Sequence, residues 1–136
     1  MTNINSNNFL YHIFPLGACG AERTNNFSSP PVPRLRQIHG WLDHVQALGA
    51  DTLFLGPVFE SGSHGYDTDN YYEVDRRLGR RADMAELGRD LRARGIRLVL
   101  DGVFNHTGRD FWAFRDLQTY GAASAYRDWY ANVHFD

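Results

Sequence analysis

Cysteine is almost missing: Cys19 stands alone in 136 residues, so neither an intramolecular disulfide nor a cysteine-based metal cluster is available. Lysine is absent altogether. All 14 basic residues are arginine, a bias that reflects codon composition more than chemistry. Nor is there a positive excess: the formal net charge is −2, which argues against a nucleic-acid partner, since phosphate binding needs a clustered positive excess. The densest basic group, Arg76, Arg77, Arg80 and Arg81, reads as a solvated or salt-bridged loop and not as an anion site. No stretch approaches the roughly 20 apolar residues that span a bilayer. The polar start, Met1 to Asn8, lacks the basic and long apolar segments of a signal peptide. No membrane partner is expected, and cytoplasm is the expected location. Glycine-rich phosphate loops and serine elbows are missing too.

What remains is enough for a real core, since 43% of the residues are hydrophobic and 14% aromatic. Phe9 to Phe14 is a short apolar run ended by Pro15 and predicts a first strand. Residues 17–33 are rich in Gly, Asn, Ser and Pro and predict a long loop. Ile38, Trp41, Leu42, Val45 and Leu48 recur at helical spacing before Gly49, which places all five on one packed face. Thr52 to Pro57 predicts a second buried strand, and the polar, glycine-rich stretch Glu60 to Tyr72 predicts a loop. Asp83 with Glu86 resembles a capping box, and Met84, Leu87 and Leu91 form an apolar stripe before Gly95. Ile96 to Leu100 then predicts a strand buried on both faces.

The order helix, glycine, strand, glycine occurs twice, in Leu48 to Gly56 and in Arg94 to Gly102. Such repetition predicts an α/β fold, a parallel βαβαβ unit with right-handed crossovers. Further on, short helices are expected at Phe111 to Leu117 and Ala123 to Tyr130, with the aromatics there serving mainly as packing.

In such a fold, polar groups at the carboxyl ends of the strands stand where ligands bind. Tyr11 and His12 from the first strand, Glu60 to Tyr66 after the second and Asp101 to His106 after the third would converge on one rim. Aromatics beside carboxylates and imidazoles suit a carbohydrate, whose apolar ring face stacks while its hydroxyls take polar partners. Taken singly, Asp101 could pin the next turn by accepting backbone amides, and His106 could be a satisfied core histidine. A metal reading is open as well. Asp101 and His106 lack the helical spacing of a zinc pair, and Asn105 suits calcium better than zinc.

Asp101-Gly102-Val103-Phe104-Asn105-His106 resembles the first conserved region of the α-amylase family, glycoside hydrolase family 13, at the end of the third barrel strand. Tyr11 to Pro15 is similar to that family's first strand, and His64 to Asp75 to the segment after its second. Gly108 to Phe114 resembles the neopullulanase and cyclomaltodextrinase branch. The resemblance implies the first three strands of a (β/α)8 TIM barrel over residues 1–108, and over 109–136 the start of the insertion after strand 3. It implies a retaining glycosidase or transglycosylase whose partner is an α-glucan or maltooligosaccharide. Tyr66 would stack on the sugar, His106 would bond a hydroxyl of the same sugar, His64 would line the pocket, and Asp101 would hold the pocket together. Asn105 matches a calcium ligand of many members.

The family's catalytic acids come from its fourth, fifth and seventh strands, so no catalytic residue is assigned among positions 1–136. The chain is therefore expected to be an amino-terminal piece of a longer glycosidase, inactive by itself. The alternatives are a non-catalytic α-glucan-binding module and an interaction module that completes its barrel with the missing half or by self-association.

Overall fold

The computed structural model describes residues 9–135; the polar start, residues 1–8, and Asp136 lie outside the described residues. β1 (Leu10–Ile13) is followed by one helical turn, α1 (Pro15–Ala18), and a 3-10 segment (Arg34–Trp41) runs into α2 (Leu42–Ala47) ahead of β2 (Thr52–Leu55). β3 (Phe59–Ser61) and β4 (Thr68–Val74) precede α3 (Arg81–Ala93) and β5 (Arg97–Leu100). Beyond them come α4 (Trp112–Tyr120) and 3-10 turns at Gly121–Ala123 and Arg127–Trp129.

β1, β2 and β5 form the parallel sheet that the repeated unit predicts, in the order β1-β2-β5, with Ile13, Leu55 and Leu100 in register. Because side chains alternate along a strand, Tyr11, Ile13, Leu53, Leu55, Leu98 and Leu100 share the face toward the helices. There Leu53 and Leu55 are fully buried with Leu35, Ile38, Leu42 and Val45 from the 3-10 segment and α2, and with Leu87 and Leu91 from α3. Each such side chain contributes roughly 1.5–3 kcal/mol of burial free energy, which makes this layer the core.

The opposite face is open, and this corrects the expectation that residues 96–100 are buried on both sides: Val99 is 42% exposed, and His12, on the same face with Phe54 between them, is exposed too. β5 is an edge strand, and no layer covers this face among the described residues. Trp41 and Leu48 are likewise 47% and 45% exposed, not packed with Ile38, Leu42 and Val45. Trp41 borders the outer edge of β1, where no further strand is present among the described residues to receive that flank.

Two local expectations also change. α3 begins one turn earlier than the Asp83/Glu86 box implied: Arg80 is the N-cap, and Asp83, third in the helix, accepts the Arg80 N–H (2.8 Å). Residues 60–72 are not an irregular loop, because β3 and β4 pair antiparallel, with register shifts on either side of Glu60. In the tail, the first expected helix forms as α4, whereas the second is reduced to the 3-10 turn Arg127–Trp129.

Two of the four clustered arginines are salt-bridged, Arg76 to Glu60 and Arg77 to Asp75. Arg77 is 4% exposed and Asp75 fully buried; the guanidinium donates from Nε to Asp75 Oδ1 (2.9 Å) and from Nη2 to Oδ2 (2.7 Å). Its Nη1 donates to the carbonyls of Glu22 (2.9 Å) and Ser63 (2.7 Å), tying the long loop to the hairpin. No helix among the described residues is long and apolar enough to cross a membrane.

Candidate functional site

Parallel register brings the carboxyl ends of β2 and β5 to one rim, where the Asp101 N–H extends the ladder by donating to the Leu55 carbonyl (2.9 Å). After Asp101 the backbone is irregular up to α4, so its polar groups need partners from elsewhere. The β3–β4 hairpin supplies them. Thr68 O accepts the Gly108 N–H (2.7 Å), Asp69 Oδ1 accepts the Asp110 N–H (3.1 Å), and the Tyr71 hydroxyl faces the carbonyls of Val103 (2.5 Å) and His106 (3.0 Å).

His106 is held at both ring nitrogens. Nε2 lies 2.9 Å from the Tyr66 carbonyl, which only accepts, and Nδ1 lies 3.3 Å from the Asn105 amide nitrogen, which only donates. Both contacts demand the neutral tautomer with its proton on Nε2. Tyr66 keeps 40% of its surface exposed. Desolvation first, and then the charge and hydrogen bond of the Asp101 carboxylate, push the Tyr66 phenol above its ordinary pKa. His64 completes the group: its Nδ1 accepts the Tyr66 N–H (3.2 Å), and the two rings lie 6.1 Å apart.

The structure therefore brings Tyr66, His64, Asp101 and His106 together. It does not bring Tyr11 and His12 with them. Tyr11 faces the helix layer, edge-on to His44 at 5.8 Å, and His12 stacks on Phe54 at 4.8 Å on the open face. Strand alternation turns them to opposite sides of the sheet, below the rim.

Asn105 is exposed, with its amide nitrogen committed to His106. Calcium takes about 6–8 oxygen ligands, and no group of three or more Asp, Glu, His or Cys side chains among the described residues is placed to hold a metal.

Sequence reasoning missed Asp69 and Tyr71, which fasten the site segment to the hairpin. Burial separates the two tyrosines, Tyr71 being partly buried and its neighbour Tyr72 80% exposed, but Thr68 to Val74 has no apolar alternation in its sequence that would have announced it. Burial, and then the nearby charge of Asp110, push the Asp69 carboxyl up to about 6. A carboxyl raised in this way resembles a general acid, but this one accepts the Asp110 N–H and lies against Gly108. Beside His106 runs a groove of about 820 Å³ whose walls include Phe104, Arg109, Phe114, Trp129 and Tyr130.

Residues 30–135 match the alpha-amylase catalytic-domain model. An amylopullulanase of Thermoanaerobacterium saccharolyticum is 42% identical over 96 residues, which is 70% of this chain and 8% of that protein. A cyclomaltodextrinase of a Bacillus species is 33% identical over 134 residues, 88% of this chain and 24% of that protein. The ligand-free cyclic α-maltosyl-(1→6)-maltose hydrolase of Arthrobacter globiformis superposes with a TM-score of 0.75 at 38% identity, over 90% of this chain and 31% of that one. The chain thus spans less than a third of the length of each of these relatives. With its βαβαβ sheet matching the first three strands of a (β/α)8 barrel and its site segment following the third, the chain belongs to the α-amylase family of glycoside hydrolases.

Proposed function

We propose that the chain is the amino-terminal segment of a retaining hydrolase or transglycosylase acting on α-glucosidic bonds of maltodextrin-like substrates. In this reading residues 1–108 belong to the barrel, residues 109–136 begin the insertion after its third strand, and the enzyme works in the cytoplasm. Tyr66, His64, Asp101 and His106 form the pocket for one sugar ring. The observation that carries this reading is the convergence of those four side chains at the carboxyl ends of β2 and β5. The exposed Tyr66 ring offers an apolar face for stacking, the Asp101 carboxylate accepts sugar hydroxyls, and the His106 Nε2–H becomes available to one when it leaves the Tyr66 carbonyl.

Retaining cleavage needs two carboxylates about 5 Å apart across the scissile bond, one acting as nucleophile and one as acid and base. Asp101 is the carboxylate that faces Tyr66, while the Asp69 carboxylate accepts the Asp110 N–H and the Asp110 carboxylate lies 3.6 Å from the Arg115 Nε. In this reading the chain alone binds the sugar and does not turn it over. The chain also matches the Arthrobacter hydrolase solved in complex with maltose, with a TM-score of 0.74, which supports an α-glucan ligand.

The test is a titration of the 136-residue chain with maltoheptaose, followed by tryptophan fluorescence, together with a reducing-end assay. Saturable quenching that disappears in Tyr66→Ala, with no turnover, is expected. Turnover that persists through repurification, or binding indifferent to Tyr66→Ala, overturns the reading. A second reading, a module that completes its barrel with another polypeptide, is favoured by the open face at His12, Phe54 and Val99 and by the outer edges of β1 and β5, which pair with no further strand among the described residues. A mass that rises with concentration would support it.

A further inference from the structure

The site segment 101–107 has no regular secondary structure, and between Asp101 and Gly108 its one internal backbone bond runs from the Phe104 N–H to the Gly102 carbonyl (3.0 Å). The carbonyls of Val103 and His106 have no backbone partner among the described residues; what reaches them is the Tyr71 hydroxyl, at 2.5 and 3.0 Å. A phenol has a single proton, so one hydrogen is shared between two carbonyls three residues apart, which closes the turn around it. The ring that carries this hydroxyl is itself fixed, edge-on to Phe111 at 5.7 Å and tilted against Phe104 at 5.8 Å and Phe59 at 6.1 Å. Val103 is buried and anchors the start of the turn, whereas Asn105 and His106 project outward from its far side.

We propose that Tyr71 is a positioning residue of the sugar site: by joining the Val103 and His106 carbonyls through its hydroxyl, it sets the direction in which the His106 ring faces Tyr66 and any bound sugar. The role rests on the sugar-binding reading of His106, but its structural half stands independently. Without the shared proton the turn loses its closure, and the His106 Nε2–H to Tyr66 carbonyl contact loses the backbone placement that aims it. Desolvation raises the Tyr71 phenol above its ordinary pKa, and a tyrosine is a protonated donor at neutral pH even without that shift.

The test uses Tyr71→Phe in the 136-residue chain, which keeps the ring and removes only the hydroxyl. Nitrogen-15 spectra of the histidine rings near pH 8 should show His106 as a single Nε2–H tautomer in the unaltered protein and as a mixture of both tautomers in the variant. A change in global stability alone leaves the tautomer of the folded population where it was. Maltoheptaose affinity should fall about fivefold, the scale of one net hydrogen bond, while Tyr72→Phe on the exposed side of β4 changes neither readout. An unchanged His106 spectrum in Tyr71→Phe overturns the proposal. If His106 loses its single tautomer but neither protein binds maltoheptaose, the positioning role survives and the sugar-binding reading falls. Should the variant not fold, the unaltered protein decides: the Tyr71 hydroxyl proton must exchange with solvent far more slowly than that of Tyr72, and equal rates overturn the proposal.

Discussion

Gly108 and Asp69 are in such close contact that a β-carbon on Gly108 would lie 2.1 Å from the Asp69 Oδ1 and 2.6 Å from the backbone oxygen of Asp67. The glycine is needed here for approach and not for an unusual φ: it lets the segment after β5 lie directly on the start of β4, close enough for the Gly108 N–H to reach Thr68 O at 2.7 Å.

Gly108→Ala should therefore separate the site segment from the hairpin. A carboxylate could swing aside, but the Asp67 carbonyl is main chain and cannot. The expected loss is about 1–3 kcal/mol, the usual cost of overpacking a closed contact, measured by urea unfolding. Trimming Asp69 in the Gly108→Ala background should restore only part of it. Full restoration would place the conflict in the side chain alone.

Asp69 also gives the stability a pH dependence with a definite sign. Its carboxyl is raised to about 6 from an ordinary 3.8, so the folded state favours the protonated form. That contribution is fully present below about pH 4 and is lost as the pH rises through about 6. Asp69→Asn keeps an oxygen to accept the Asp110 N–H and cannot ionise. Relative to the unaltered protein it should gain about 1 kcal/mol between pH 4 and pH 7, a figure reduced for the solvent that screens a partly open site. Urea midpoints of the two proteins that run parallel across this range would exclude the effect.

The parallel sheet was legible because the glycine-bounded helix and strand occur twice, and the rim was legible because Asp101 to His106 follows an apolar run at its carboxyl end. The hairpin was not. Ser61 to Thr68 is too long and irregular to announce a two-residue turn, and the register shifts beside Glu60 spoil simple alternation. Nor could local pattern show which face of Ile96 to Leu100 is covered, because an apolar run looks alike whether one or two layers pack on it. Tyr11 and His12 lie close in sequence to the end of β1, but the strand's alternation sends them to opposite sides of the sheet. In the sequence Arg77 looks like its three arginine neighbours, and only its bidentate match to Asp75 sets it apart from them.

That match leads to a large expected effect. Arg77→Ala leaves the Asp75 charge buried without its partner, which costs roughly 3–5 kcal/mol, and also releases the carbonyls of Glu22 and Ser63. Thermal unfolding should show the loss, and limited proteolysis should find new cleavage near residues 22–26 before global unfolding. Arg77→Lys should recover only a part, since an ammonium cannot donate in parallel to both Asp75 oxygens. A lysine variant as stable as the parent would mean that the fork geometry contributes nothing.

The two faces of the sheet should respond differently to the same kind of change. Leu53 is fully buried against the helices, whereas Val99, on the neighbouring strand and the opposite face, is 42% exposed. Leu53→Ala should cost about 2–5 kcal/mol, as other buried leucine truncations do, while Val99→Thr, which replaces a methyl by a hydroxyl in contact with water, should stay within about 1 kcal/mol. The comparison is most informative at two protein concentrations. If Val99→Thr is mild at both, the open face is solvated in the isolated chain and the one-sided core is sufficient for folding. If its cost grows with protein concentration, a second polypeptide covers His12, Phe54 and Val99, and the barrel-completing reading gains on the isolated binding half.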